Sequence, residues 1–95
     1  MNLQEFIEYN WRDGSITALI FDKDCLKLTI IDWKDQVIEV KFEDVFKLSL
    51  HDYFDEDISH IKIMENDENE ISISIFSAWE DRKMLCFSLE IPTAI

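Results

Sequence analysis

The stretch EISISIFSA, residues 70–78, decides the fold class because it alternates isoleucine with serine. Successive side chains of a β-strand point to opposite faces, so Ile71, Ile73 and Ile75 share one face and the serines between them share the other. A strand with one apolar and one polar face buries the first and exposes the second to water. The stretch therefore predicts a strand in a sheet that has one solvated side.

The same twofold period recurs along most of the chain. Apolar residues alternate with polar ones in several further segments, which are separated by short polar turns. Besides residues 70–78, strands are predicted at residues 16–22, 25–33, 37–42, 58–65 and 85–91. Residues 43–53 fit a short strand, a helical turn or both in succession, and we interpret them as a crossover.

Only the first segment has helical spacing. Leu3, Phe6, Ile7 and Trp11 recur at intervals of three and four residues, which predicts a short amphipathic helix over residues 3–11. The single glycine of the chain follows in an Asp-Gly pair, which is a strong turn signal.

These elements predict a mainly β (α+β) fold in one domain, residues 1–95. Two antiparallel three-stranded meanders joined by a crossover would form a bent sheet, a sandwich or a partly closed barrel, with the helix covering one opening or face. At 95 residues there is no room for two independent cores, and an apolar share of 47% supplies one.

Charge is the most unusual property of the sequence, since its formal net value is -12. Eight of the 21 acidic residues lie between residues 52 and 70, where Lys62 is the only lysine or arginine. Such a field repels nucleic acid and anionic membranes and attracts basic partners. With no secretion signal at the start and no apolar run of roughly 18 residues, we expect a cytoplasmic protein.

Residues that could carry catalysis are scarce. The only histidines, His51 and His60, are expected to be exposed among carboxylates rather than to act as bases. Cys25 and Cys86 are interpreted as small core residues rather than a disulfide or metal clip. The acidic residues and histidine within 52–60 do not have calcium-loop spacing, and one glycine cannot supply a phosphate loop. We therefore expect no enzyme activity, no metal and no cofactor.

Two tryptophans fall at predicted strand ends beside turns, where full burial is difficult. Trp33 and Trp79 would either cap the open ends of the core or anchor a protein interface, because a large rigid ring buries much area at little entropic cost.

The chain resembles the small acidic immunity proteins of bacterial contact-dependent inhibition and polymorphic toxin systems. The resemblance rests on size, charge, the meander that follows Asp13-Gly14, and the segment Phe42-Glu43-Asp44-Val45 after the third strand. It implies a protein that neutralises a cognate, basic, nuclease-type toxin. These families share no single diagnostic motif, so the resemblance assigns no role to any residue.

If the resemblance holds, the acidic stretch and its aromatic neighbours form the binding surface, and reversing its charges slows association with the toxin. The predicted partner-binding residues are Asp52, Tyr53, Asp55, Glu56, Asp57, Asp67, Glu68, Glu70 and Trp79. The protein itself would be a monomer or a homodimer. Two alternatives remain open: a structural or regulatory interaction domain, possibly homodimeric, and an enzyme or small-ligand binder whose site is assembled from distant residues.

Overall fold

The computed structural model describes residues 1–51, 56–67 and 69–91, and within these ranges the chain is mainly β-strand, as the alternating pattern predicts. In these ranges one short helix precedes seven strands. The elements are α1 (Leu3–Glu8), β1 (Ser15–Asp22), β2 (Cys25–Ile31), β3 (Val37–Phe42), β4 (Val45–Leu50), β5 (Ile58–Asp67), β6 (Glu70–Ser77) and β7 (Lys83–Glu90).

The strands form two antiparallel sheets with the orders β1-β2-β3 and β4-β7-β6-β5. The first sheet is the predicted first meander. The second sheet contains the predicted second meander together with β4, which pairs with β7. Residues 43–53 were compatible with either a strand or a helical turn. They contain a strand at Val45–Leu50, which gives the second sheet a fourth member.

The core lies between the two sheets, and the strand periodicity determines which residues enter it. Leu28 and Val40 are partners in the first sheet, Phe87 and Ile73 are partners in the second, and all four are almost completely buried. The predicted inward direction of the isoleucines in residues 70–78 is confirmed. The buried apolar residues are Phe6, Trp11, Ile16, Leu26, Leu28, Ile30, Val40, Phe42, Val45, Ile58, Ile71, Ile73, Ile75, Met84, Leu85, Phe87 and Leu89.

The helix is shorter than the periodicity indicates, and it places Phe6 in the core. Asn2 and Glu5 form a reciprocal capping box at its start, and the chain is extended again at Tyr9. Phe6 is fully buried, with its ring edge-on to Phe42 at a centroid distance of 5.0 Å. Trp11 lies beyond the helix but is also buried, and its indole N–H donates to the Phe6 carbonyl oxygen at 2.8 Å.

Two connections join the sheets at their edges. The chain passes from β3 to β4 through Glu43 and Asp44 alone, and Asp44 adopts a left-handed conformation with φ 60°. The second connection consists of hydrogen bonds between the residues just before β1 and the first residue of β5. The Ile58 N–H donates to the Gly14 carbonyl oxygen at 2.8 Å, and the Asp13 N–H donates to the Ile58 carbonyl oxygen at 2.9 Å. The described strands pair as two separate sheets rather than as a closed barrel.

The Asp-Gly turn is confirmed, although the conformational demand falls on the residue before the glycine. Asp13 has φ 65°, while Gly14 does not have a positive φ. Gly14 is required for space instead, since a Cβ there would lie 3.0 Å from the carbonyl oxygens of both Ile31 and Trp11.

The interpretation of the cysteines as core residues is wrong. Cys25 and Cys86 are both free thiols and are half-buried. Each lies next to a buried inward-facing residue, Leu26 and Leu85 respectively, so the alternation of the strand directs the thiol to the solvent side of its sheet. The second predicted strand is also too long, since β2 ends at Ile31.

Candidate protein-binding site

An open cleft of about 450 Å³ brings part of the acidic stretch together with an exposed tryptophan. Its described lining residues are Glu56, Asp57, Ala78 and Trp79. The acidic pair comes immediately before β5, and the other two residues follow β6, so the cleft lies where one strand of the β5–β6 pair begins and the other ends. Trp79 is 63% exposed, which leaves most of its ring open to solvent.

Ser77 forms hydrogen bonds to residues on both sides of this cleft, Glu56 and Trp79. It is fully buried at the end of β6, and its hydroxyl donates to a Glu56 carboxylate oxygen. The same hydroxyl oxygen accepts from the Trp79 N–H at 2.8 Å. A single buried serine thus holds one carboxylate and sets the start of the turn that carries the tryptophan.

Asp57 is fixed by main-chain and side-chain bonds to both sheets. Its carbonyl oxygen accepts from the Ala78 N–H at 2.8 Å, and one of its carboxylate oxygens accepts from the Ser15 hydroxyl at 3.1 Å. Neither Glu56 nor Asp57 forms an ion pair with a described residue. The two carboxylates are therefore held in place while their negative charge remains uncompensated by the described residues.

The two exposed tryptophans differ in what lies over their rings. The ammonium nitrogen of Lys34 lies 4.9 Å from the centroid of the Trp33 ring. Among the described residues no cation lies over the Trp79 ring. An aromatic face beside two carboxylates attracts a positively charged side chain by cation–π and charge-assisted interactions together. The cleft is thus chemically suited to a lysine or arginine supplied by a partner.

The structure brings together Glu56, Asp57 and Trp79 of the residues predicted to bind a partner. Glu70 lies at the opposite end of β6, about 25 Å away at the rise of a strand, where Asn66 donates to its carboxylate. Asp52, Tyr53, Asp55 and Glu68 lie outside the described residues, as does the side chain of Asp67. Sequence reasoning missed Ser15 and Ser77, since contacts across 42 and 21 residues leave no local signal.

Both histidines, His51 and His60, are exposed as expected. His60 is exposed on β5, where its ring stacks on Phe76 at a centroid distance of 4.8 Å, and its closest polar partner is the hydroxyl of Ser59 at 3.1 Å. Within residues 1–51, 56–67 and 69–91, no three histidine, cysteine, aspartate or glutamate side chains converge as a group that could hold a metal ion.

Asp32 is a buried carboxylate outside the cleft, and its hydrogen bonds stabilise a turn. Asp32 is 3% exposed, and it accepts hydrogen bonds from the Tyr9 hydroxyl and from the backbone N–H groups of Lys34 and Gln36. The bond from Tyr9, with those from the backbone, lowers the pKa of Asp32 below its ordinary value of 3.8 although burial opposes the shift. The same bond raises the pKa of Tyr9 above 10.0. This pair fixes the β2–β3 turn against the segment that follows α1.

Replacing Tyr9 with phenylalanine is expected to weaken the acid dependence of stability. Because the folded-state pKa of Asp32 lies below its unfolded value, its contribution is complete above pH ~4 and is lost as the pH falls through the folded-state value. Without the phenol that pKa rises, so the urea midpoint of Tyr9→Phe should start lower at neutral pH and fall less steeply below pH ~4. Asp35→Asn, which removes an exposed carboxylate from the same turn, is the control. An unchanged acid slope in Tyr9→Phe would contradict the assignment.

Comparison with known proteins finds no matching family model, no similar curated protein and no similar solved structure. No helix in the described part of the chain is long and apolar enough to cross a membrane.

Proposed function

We propose that this protein is a non-enzymatic inhibitor of the immunity type, which binds and neutralises a basic, nuclease-type toxin in the cytoplasm. The observation that supports this proposal best is the cleft beside Trp79, where a 63% exposed indole ring lies next to two fixed carboxylates. Toxins that act on nucleic acid present basic surfaces to their substrate, and such a surface matches the cleft in charge.

The net charge of -12 adds a long-range contribution to this local complementarity. An acidic protein is steered towards a basic partner before contact, which raises the association rate and makes that rate depend on salt. The cleft would then determine how long the complex lasts, because a tryptophan buried at the centre of an interface slows dissociation. The proposal therefore assigns different kinetic roles to the overall charge and to Trp79.

Replacing Trp79 with alanine is expected to weaken binding at least about fivefold, mainly through faster dissociation, because a buried aromatic anchor is typically worth more than 1 kcal/mol. The measurement is surface plasmon resonance against a basic, nuclease-type toxin domain, together with survival of cells that express both. Trp33→Ala is the matched control, since it removes another exposed tryptophan whose face is already covered by Lys34.

Two results would overturn the proposal. One is a complex whose dissociation is equally fast in the wild type and in Trp79→Ala, which would show that the cleft lies outside the interface. The other is failure of the wild-type chain to bind or protect against that toxin domain. Association that is insensitive to salt would contradict the steering role given to the net charge.

A further inference from the structure

The solvent-facing side of the second sheet has a floor of small, uncharged residues. Its central strands place Ser72 and Ser74 on β6 beside Ser88 and Cys86 on β7. The Ser72 and Ser88 hydroxyl oxygens are 2.8 Å apart, and the Ser74 hydroxyl donates to the Cys86 sulfur at 3.3 Å. These side chains satisfy one another close to the backbone, so another flat surface could approach this sheet without leaving their polar groups unpaired.

Three lysines project from the same side of this sheet. Lys47 on β4 pairs with Ser88, Lys62 on β5 pairs with Ser74, and Lys83 on β7 pairs with Phe76, which places all three on the outer face. All three are exposed, and none forms an ion pair with a described residue. The chain has 21 acidic and nine basic residues, so a face of uncompensated lysines is opposite in sign to the protein as a whole.

One end of this face is acidic, and it lies on the β6–β7 pair, which also carries Lys83. Glu70 and Glu90 are direct cross-strand partners at the end of β6 and β7 that lies farthest from Lys83. Like charges directly opposite each other destabilise a sheet, and a cation placed over them relieves that repulsion. The β6–β7 pair is therefore acidic at one end and basic at the other, with the uncharged serine floor between.

The two charged ends of the β6–β7 pair are complementary to each other. If two copies face each other across a two-fold axis that runs at right angles to the strands, Lys83 of each copy lies opposite Glu90 of the other. We infer that the protein forms a two-fold dimer through the outer face of the β4-β7-β6-β5 sheet. The occupant of this face is a second copy of the chain, and the proposal does not depend on the toxin proposed above.

The size of the sheet limits the surface area that such a dimer can bury. Four strands about 4.8 Å apart and about 27 Å long cover roughly 500 Å² per copy, or roughly 1,000 Å² in total. That area lies at the lower limit for specific interfaces, which is the range of weak, transient complexes. The small residues of the floor allow the two sheets to approach to the usual spacing of about 10 Å.

Sedimentation equilibrium between about 10 and 500 µM tests the inference. The wild type should change from the 11.4 kDa monomer to a dimer across this range. Lys83→Glu and Glu90→Lys should each weaken association about tenfold, because each places like charges opposite each other. The double variant Lys83→Glu/Glu90→Lys should restore it, because the pairs form again with their signs exchanged.

The control is Lys41→Glu, which changes net charge by the same amount at an exposed position of the first sheet. It should affect association much less than Lys83→Glu. A protein that remains monomeric throughout the range would overturn the inference, as would a dimer that Lys83→Glu leaves unchanged. Equal weakening by both lysine variants, or single variants that the double exchange does not rescue, would likewise exclude this two-fold pairing. Circular dichroism of each variant checks that the fold is retained.

Discussion

Replacing Phe6 with alanine is expected to lower the free energy of unfolding by about 3–5 kcal/mol, which is the range for removing a fully buried phenylalanine. Its ring is 0% exposed and contacts Phe42 and Trp11 at centroid distances of 5.0 and 5.1 Å. Domains of this size have a total stability of about 5–15 kcal/mol, so the loss is a large fraction of the whole. Urea denaturation monitored by tryptophan fluorescence measures it directly.

The neighbouring Ile7 provides the control for Phe6. It lies in the same helix but is only half-buried, so Ile7→Ala should cost much less while changing helix propensity in a similar way. If both variants lowered the free energy of unfolding equally, the helix would stabilise the protein through its own helical stability rather than through the burial of Phe6 in the core. A loss below about 1 kcal/mol for Phe6→Ala would show that α1 is not part of the cooperative core.

Replacing Gly14 with valine is expected to destabilise the protein by about 2–3 kcal/mol. The first added carbon would lie 3.0 Å from the carbonyl oxygens of Ile31 and Trp11, both of which belong to the backbone and cannot rotate away. Overpacking of this kind typically costs about 1–3 kcal/mol and more with a branched side chain, whereas restricting the unfolded chain returns only about 0.4–1 kcal/mol. Thermal and urea unfolding should both show that Gly14→Val lowers the free energy of unfolding.

Asp13→Gly is the matched test of the same turn. Asp13 has φ 65°, so glycine removes a left-handed strain there while adding freedom to the unfolded chain, and the two effects should nearly cancel. A stability within about 0.5 kcal/mol of the wild type is expected. If Asp13→Gly were severely destabilising and Gly14→Val were tolerated, the assignment of space to Gly14 and conformation to Asp13 would be reversed.

The strands could be predicted from the sequence because twofold alternation is a local property. Residues 70–78 and 37–42 have isoleucine, valine or phenylalanine at every second position, and the inward face follows from that spacing alone. Residues 43–53 could not be settled in the same way. β4 is an edge strand in which Phe46 and Leu50 are half-exposed, so its apolar residues do not mark a single face.

The helix and the cysteines show where local patterns were misleading. Trp11 continues the helical spacing from Leu3, but its burial comes from contacts with Phe6 and Tyr9 after the helix has ended. Cys25 and Cys86 lie inside apolar runs, but the parity of the strand directs them outward. Tertiary packing determined the first outcome, and strand parity rather than composition determined the second.

The candidate site was only partly accessible to sequence reasoning. The acidic stretch and Trp79 could be selected from charge and from position beside a turn, and the structure brings Glu56 and Asp57 next to Trp79. The residues that hold them, Ser15 and Ser77, are ordinary serines whose partners are far away in the chain. Opposite charges at the two ends of one sheet face are likewise visible only after the cross-strand register of β6 and β7 is known.

The division of the chain between the sheets has a consequence during translation. The first sheet is contained in residues 15–42, whereas the second spans residues 45–90 and includes the partner of Gly14 at Ile58. At about 5–20 residues per second, a nascent chain completes the first meander seconds before the layer that covers its apolar side has left the ribosome. For that interval the half-made protein exposes the apolar side of its first sheet, the kind of surface through which nascent chains aggregate.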